Sequence, residues 1–119
     1  MFKIDGKQNI YITRGDSVSM DITLTQPLPP YEEYTLQTGD KLVFTVRETA
    51  KTLEDTPEIL IQKEFTDNRL ELTGNDTAEL EYGKYVYDIQ LIFNSGEINT
   101  VIPYTIGKLP GFNVCEEVG

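Results

Sequence analysis

Ser17-Val18-Ser19-Met20-Asp21-Ile22-Thr23-Leu24 alternates without a break: Val18, Met20, Ile22 and Leu24 fall on one face, and Ser17, Ser19, Asp21 and Thr23 on the other. Successive side chains of a β-strand point to opposite faces, so a period of two specifies a strand with one buried and one wet face. An amphipathic helix needs apolar residues three and four apart, and no comparable stretch of the chain has that spacing.

The same alternation recurs at Leu42, Phe44 and Val46, at Leu70 and Leu72, at Tyr85, Tyr87, Ile89, Leu91 and Phe93, and more weakly at Ile98, Thr100 and Ile102. Turn signals separate these runs: Asp5-Gly6, Arg14-Gly15-Asp16, Thr38-Gly39-Asp40, Thr73-Gly74-Asn75-Asp76, Asn94-Ser95-Gly96 and Gly107. Their glycines and short polar side chains accept the backbone angles that turns demand. The expected fold is therefore all-β, an antiparallel sandwich of about seven to nine strands. Phe93-Asn94-Ser95-Gly96-Glu97-Ile98 predicts a hairpin that makes the last two main strands neighbours.

Three connections are readable. Gln26 to Tyr34, QPLPPYEEY, contains three prolines that remove backbone donors, so it is expected to project as a loop. Thr49 to Pro57 is a second polar connection. Asp76 to Tyr82, DTAELEY, predicts one helical turn capped by Asp76 or Thr77 ahead of the strand at Tyr85.

A chain of 119 residues fits a single domain over residues 1–119. Its core is expected from about residue 9 to about residue 114, with fraying over 116–119. Twenty acidic against ten basic residues give a net charge of -10, which repels the phosphates of nucleic acid and anionic membrane surfaces. The first residues, Met1-Phe2-Lys3-Ile4-Asp5-Gly6, lack the apolar run of a secretory signal, and no later segment is apolar for long enough to span a bilayer. Synthesis in the cytoplasm is the expectation.

Histidine and tryptophan are absent and Cys115 is the single cysteine, so intramolecular disulfides and Cys/His zinc sites are excluded by count. Without histidine no nucleophile, base and orienting group can be assembled around Cys115, which reads as a small buried apolar residue. Asp67-Asn68 and Asn75-Asp76 lack the alternating acidic loop of an EF-hand and read as turns. The carboxylates read as solvated surface charge rather than a glycosidase pair. The chain is thus expected not to be an enzyme, and no catalytic, cofactor-binding or metal-ligating residue is assigned.

Two motifs remain. Arg14-Gly15-Asp16 is a tripeptide that binds integrins when displayed at a loop tip, but here it falls tightly between two predicted strands. It reads as a structural turn: Gly15 permits the bend, Asp16 caps it, and Arg14 faces solvent or a carboxylate. Leu80-x-x-Gly83-x-Tyr85-x-Tyr87 has the spacing of the tyrosine corner of immunoglobulin-like sandwiches, with Tyr85 as the corner residue and Tyr87 where antibody domains carry a cysteine. Tyr31, Glu32, Glu33 and Tyr34 form a candidate interaction loop, two rings beside two carboxylates.

The order of Ile12-Thr13-Arg14-Gly15-Asp16-Ser17, Leu42-Val43-Phe44-Thr45-Val46-Arg47 and Leu80-x-x-Gly83-x-Tyr85-x-Tyr87-Asp88-Ile89-Gln90-Leu91 resembles the N-terminal domain of BppU-type phage baseplate upper proteins. Asn99-Thr100-Val101-Ile102 and Gly111-Phe112-Asn113-Val114 extend the resemblance over about Ile10 to Val114, while the Gln26–Tyr34 stretch is longer than that pattern. The resemblance implies an immunoglobulin-like domain in a virion or prophage tail, docked on other baseplate proteins and supporting receptor-binding proteins; for such a module a symmetric homo-oligomer in the assembled particle is a further expectation. The alternative is a carbohydrate-binding or adhesive β-sandwich of a bacterium, stacking sugars on Tyr31 and Tyr34.

Overall fold

The computed structural model describes residues 2–4, 8–26, 29–48, 59–102 and 111–115. The strands are β1 (Phe2–Ile4), β2 (Ile10–Thr13), β3 (Val18–Asp21), β4 (Leu24–Thr25), β5 (Glu33–Tyr34), β6 (Lys41–Arg47), β7 (Ile59–Phe65), β8 (Arg69–Leu72), β9 (Gly83–Ile92), β10 (Ile98–Ile102) and β11 (Gly111–Cys115). A single helical turn, α1 (Gly74–Thr77), lies between β8 and β9.

Seven strands form one sheet in the order β1-β2-β11-β9-β6-β7, with β10 also paired to β9. The long strand β9 reaches β6 on one side, and on the other it meets β11 near its start and β10 near its end. The β2–β11 pairing is parallel, and every other pairing in this sheet is antiparallel. The facing layer consists of two small antiparallel pairs, β3–β8 and β4–β5.

The alternation read in the sequence decides which side chains fill the space between the layers. Leu42, Phe44 and Val46 of β6 and Tyr87, Ile89 and Leu91 of β9 meet Leu70 and Leu72 of β8, together with Ile22 and Leu24 from the β3–β4 segment. Phe44 sits at the centre, its ring centroid 5.6 Å from Tyr87 and 5.9 Å from Phe112. The molecule is an all-β sandwich, and apolar burial of this kind supplies most of the driving force for folding. On the outer face of β6, Val43 and Thr45 are buried as well. Neighbouring strands flank them on both sides, and Gln62 of β7 donates to the Thr45 hydroxyl at 3.2 Å.

Four readings need correction. Strands exceed seven to nine because β1, β4 and β5 are only two or three residues long, and because two separate segments, β10 and β11, share one flank of β9. The run from Ser17 to Leu24 keeps its buried face throughout but is not one strand: β3 pairs with β8, and β4 pairs with β5. Glu33 and Tyr34 belong to a strand rather than a loop, since the short β4–β5 ladder closes with Gln26 N–H donating to Glu32 at 2.9 Å. The helical turn begins at Gly74, earlier than expected. Asp76 reaches back to accept from the Thr73 amide at 2.7 Å and holds the Lys63 ammonium at 2.8 Å, so it acts within the first turn. The Thr49–Pro57 connection, the turns at Gly6 and Gly107, and the 116–119 terminus lie outside the described residues.

Candidate interaction surfaces

Arg14-Gly15-Asp16 closes the end of β2 as a tight turn in which Asp16 N–H donates to Thr13 at 3.1 Å. Gly15 has φ of +87°, a region that glycine enters without steric cost. Its amide donates to the Thr77 hydroxyl of α1 at 2.9 Å, and Thr77 is fully buried. The Arg14 guanidinium lies 4.2 Å from the centre of the Tyr82 ring and donates to the Tyr82 hydroxyl at 3.0 Å and to the Leu80 carbonyl at 3.4 Å. Cation–π contact and hydrogen bonds therefore fold the arginine along the segment that leads into β9. The tripeptide is fastened to the sandwich rather than displayed on a free loop.

Tyr85 donates its hydroxyl hydrogen bond to the Glu81 carbonyl, four residues upstream, at 2.8 Å. Burial pushes its phenol pKa up, and the Glu81 and Glu48 carboxylates add to the shift. Gly83, the first residue of β9 and paired with Val114, has φ of +153°. Tyr87, a core position standing where antibody domains carry a cysteine, makes a bond that its spacing did not announce: its hydroxyl donates to the Gln8 carbonyl at 2.6 Å and ties the N-terminal segment to the middle of the sheet.

The four residues of the proposed interaction loop divide. Tyr31 is 59 % exposed, and Glu32 and Glu33 are exposed beside it. Tyr34 is half-buried, packs edge-on against Phe93 at 5.8 Å between ring centres, and donates its hydroxyl to Asp40. Only one of the two rings is thus presented to solvent.

Asp40 and Asn68 are the polar residues that turn signals alone could not reveal. Asp40 is buried and accepts from the Tyr34 hydroxyl and from the amides of Gln37 and Asn94, each amide at 2.9 Å. These donors hold its carboxyl below the usual carboxylate range, the Tyr34 hydroxyl contributing most, and the Tyr34 phenol is raised in turn by that bond. Asn68 accepts from the Leu36 amide at 2.9 Å and donates to Tyr34 and Ile22 carbonyls at 3.0 and 3.3 Å. Together they clamp the β5–β6 connection against the β3–β4 break and the β9–β10 hairpin.

Between β4 and β10 the two layers part. A cleft of about 600 Å³ opens there, floored by Ile22, Leu24, Leu91 and Val101 and walled by Tyr34 and Phe93. Thr23, Thr25 and Asn99 are among its polar lining, and among the described residues no charged side chain lines it.

Cys115 is a free thiol and half-buried, more open than the sequence reading expected. Among the described residues no group of three or more histidine, cysteine or carboxylate side chains is placed to hold a metal ion. Among them, too, no helix is long and apolar enough to cross a membrane. No protein-family model matches the chain, and neither a curated protein nor a solved structure matches it.

Proposed function

We propose that the chain is a non-enzymatic structural module with an immunoglobulin-like sandwich, a component of a phage or prophage tail baseplate. In that role it docks onto neighbouring subunits and supports receptor-binding proteins. The observation that carries the reading is spatial: the segments on which the family resemblance rests are joined to one another in the fold. The 12–17 segment is bonded through Gly15 to Thr77 and through Arg14 to Leu80 and Tyr82. The 42–47 and 80–91 segments pair along β6 and β9. A corner bond from Tyr85 to the backbone upstream accompanies them. Motifs that are weak one at a time gain weight when they form one connected unit.

The sandwich carries loops and sheet edges for binding, and its acidic character turns it away from nucleic acid. The gene neighbourhood tests this reading. Flanking tail and lysis genes are expected; an operon of surface-export or adhesin genes, with no tail genes nearby, would overturn it.

A further inference from the structure

The cleft between β4 and β10 is bordered by two strand edges, and the hydrogen-bond register shows what each edge offers. Phe93 N–H donates to Glu97 at 2.9 Å, which makes that pair a hydrogen-bonded one. Ladder bonding alternates along antiparallel strands, so Asn99 opposite Leu91 points its peptide groups at β9, while those of Ile98 and Thr100 point away. By the same rule, the bond from Gln26 to Glu32 leaves the peptide groups of Thr25 aimed away from β5. Among the described residues, no strand pairs with either edge on that side.

Asn99 sits opposite Leu91 and therefore shares its inward face, yet Leu91 is buried and Asn99 is exposed. Among the described residues the second layer stops short of β10, and its inward face opens onto an apolar floor.

Charge narrows the occupant. Residues 21–26, 29–34 and 93–102 contain Asp21, Glu32, Glu33 and Glu97, all exposed, and neither lysine nor arginine. A second copy of this chain would bring its own net charge of -10 against these exposed carboxylates.

We propose that this cleft accepts an extended segment of a different protein, one that alternates apolar residues and carries flanking lysine or arginine. The guest strand pairs with the outward peptide groups of Ile98 and Thr100, drops alternate side chains onto the Leu24, Leu91 and Val101 floor, and offsets with its flanking basic residues the exposed carboxylates carried by the same segments. Backbone pairing supplies affinity and the apolar floor supplies selectivity. The inference rests on reading the chain as a docking module and assigns its docking surface.

The test is a ¹H–¹⁵N titration of the whole chain with three synthetic peptides. One alternates valine and threonine over five residues with two lysines at each end, the second replaces the lysines by glutamates, and the third replaces the central residue by proline. The lysine peptide is expected to shift and protect the amides of Ile98 and Thr100 and to shift Leu24 and Thr25. It should bind at least about tenfold more tightly than the other two, because proline removes a ladder donor and glutamates are repelled by a chain of net charge -10. Asn99→Lys, at an exposed position, should cost about tenfold in affinity for the lysine peptide while leaving the spectrum elsewhere unchanged. Absence of shifts at these strands, or equal binding of all three peptides, overturns the proposal. The same shifts on concentrating the chain without peptide would make a second copy the occupant and also overturn it. Because no tail protein enters this experiment, a failed tail assignment with intact peptide binding is distinguishable from a failed cleft with intact tail association.

Discussion

Tyr85 and Tyr87 stand two positions apart on one strand, and their hydroxyls do different work. Tyr85 secures the corner before its own strand, whereas Tyr87 fixes a segment from the other end of the chain. Replacing Tyr85 by phenylalanine removes one hydroxyl–carbonyl bond and little volume. Urea unfolding is expected to report a loss of about 0.5–1.5 kcal/mol with the fold retained, and an unchanged midpoint would remove Tyr85 from the corner role. Gly15 makes a different demand. At φ of +87° an added Cβ is strained, so Gly15→Ala should cost roughly 1 kcal/mol or more. Asp16→Glu should leave cell adhesion to integrin-coated surfaces at the level of a buffer control both before and after substitution; selective adhesion by the unsubstituted chain would revive the integrin reading.

At the scale of elements, the Asp40 clamp joins the β5–β6 connection to the β9–β10 hairpin. Its carboxyl is held below the ordinary value, so the unfolded chain binds this proton more readily than the folded one. The stability it contributes is present above the unfolded aspartate pKa of about 3.9 and is lost as pH falls through the lower folded value. Asp76 works in the same sense: burial tends to raise its pKa, but the Lys63 ammonium and the Thr73 groups together outweigh it. Asp88 works in the opposite sense, raised by burial that Arg47, 3.9 Å away, only partly offsets. The difference between the parent chain and Asp40→Asn isolates the clamp. Melting temperatures followed from pH 6 to pH 2.5 should converge as pH falls, and a constant gap across that range would show that the Asp40 charge is not the source.

These elements also mark where sequence reasoning stops. Period-two runs identified the core faces of β3, β6, β8 and β9, because burial on one side imposes alternation. They could not place the break at Ile22. Alternation continues through Leu24, and the change of partner is enforced by Asn68, which takes the Ile22 carbonyl from 46 residues away. Nor could a Thr-Gly-Asp turn announce that its aspartate binds a tyrosine hydroxyl and two amides. Such bonds depend on which loops the topology brings together. The Arg14-Gly15-Asp16 turn and the Tyr85 corner were readable because the bonds that close them, Asp16 to Thr13 and Tyr85 to Glu81, are local, whereas the distant partners Thr77, Leu80 and Tyr82 were not. The β4–β10 cleft was not, since each of its walls alone has an ordinary strand pattern.

For the molecule as a whole, a single cysteine leaves packing to hold the sandwich. Phe44 is fully buried where rings from β6, β9 and β11 converge. Phe44→Ala should therefore cost about 3–5 kcal/mol, a large part of the stability of a domain this size, read as a shift of the urea midpoint. A cost below about 1 kcal/mol would mean that the centre of the core lies elsewhere.

Immunogold electron microscopy tests most directly what this sandwich is for. Antibodies raised against the purified chain should label the tail tip of phage particles released after induction of cells that carry the gene. Label on the cell envelope, with particles left bare, would contradict the baseplate assignment.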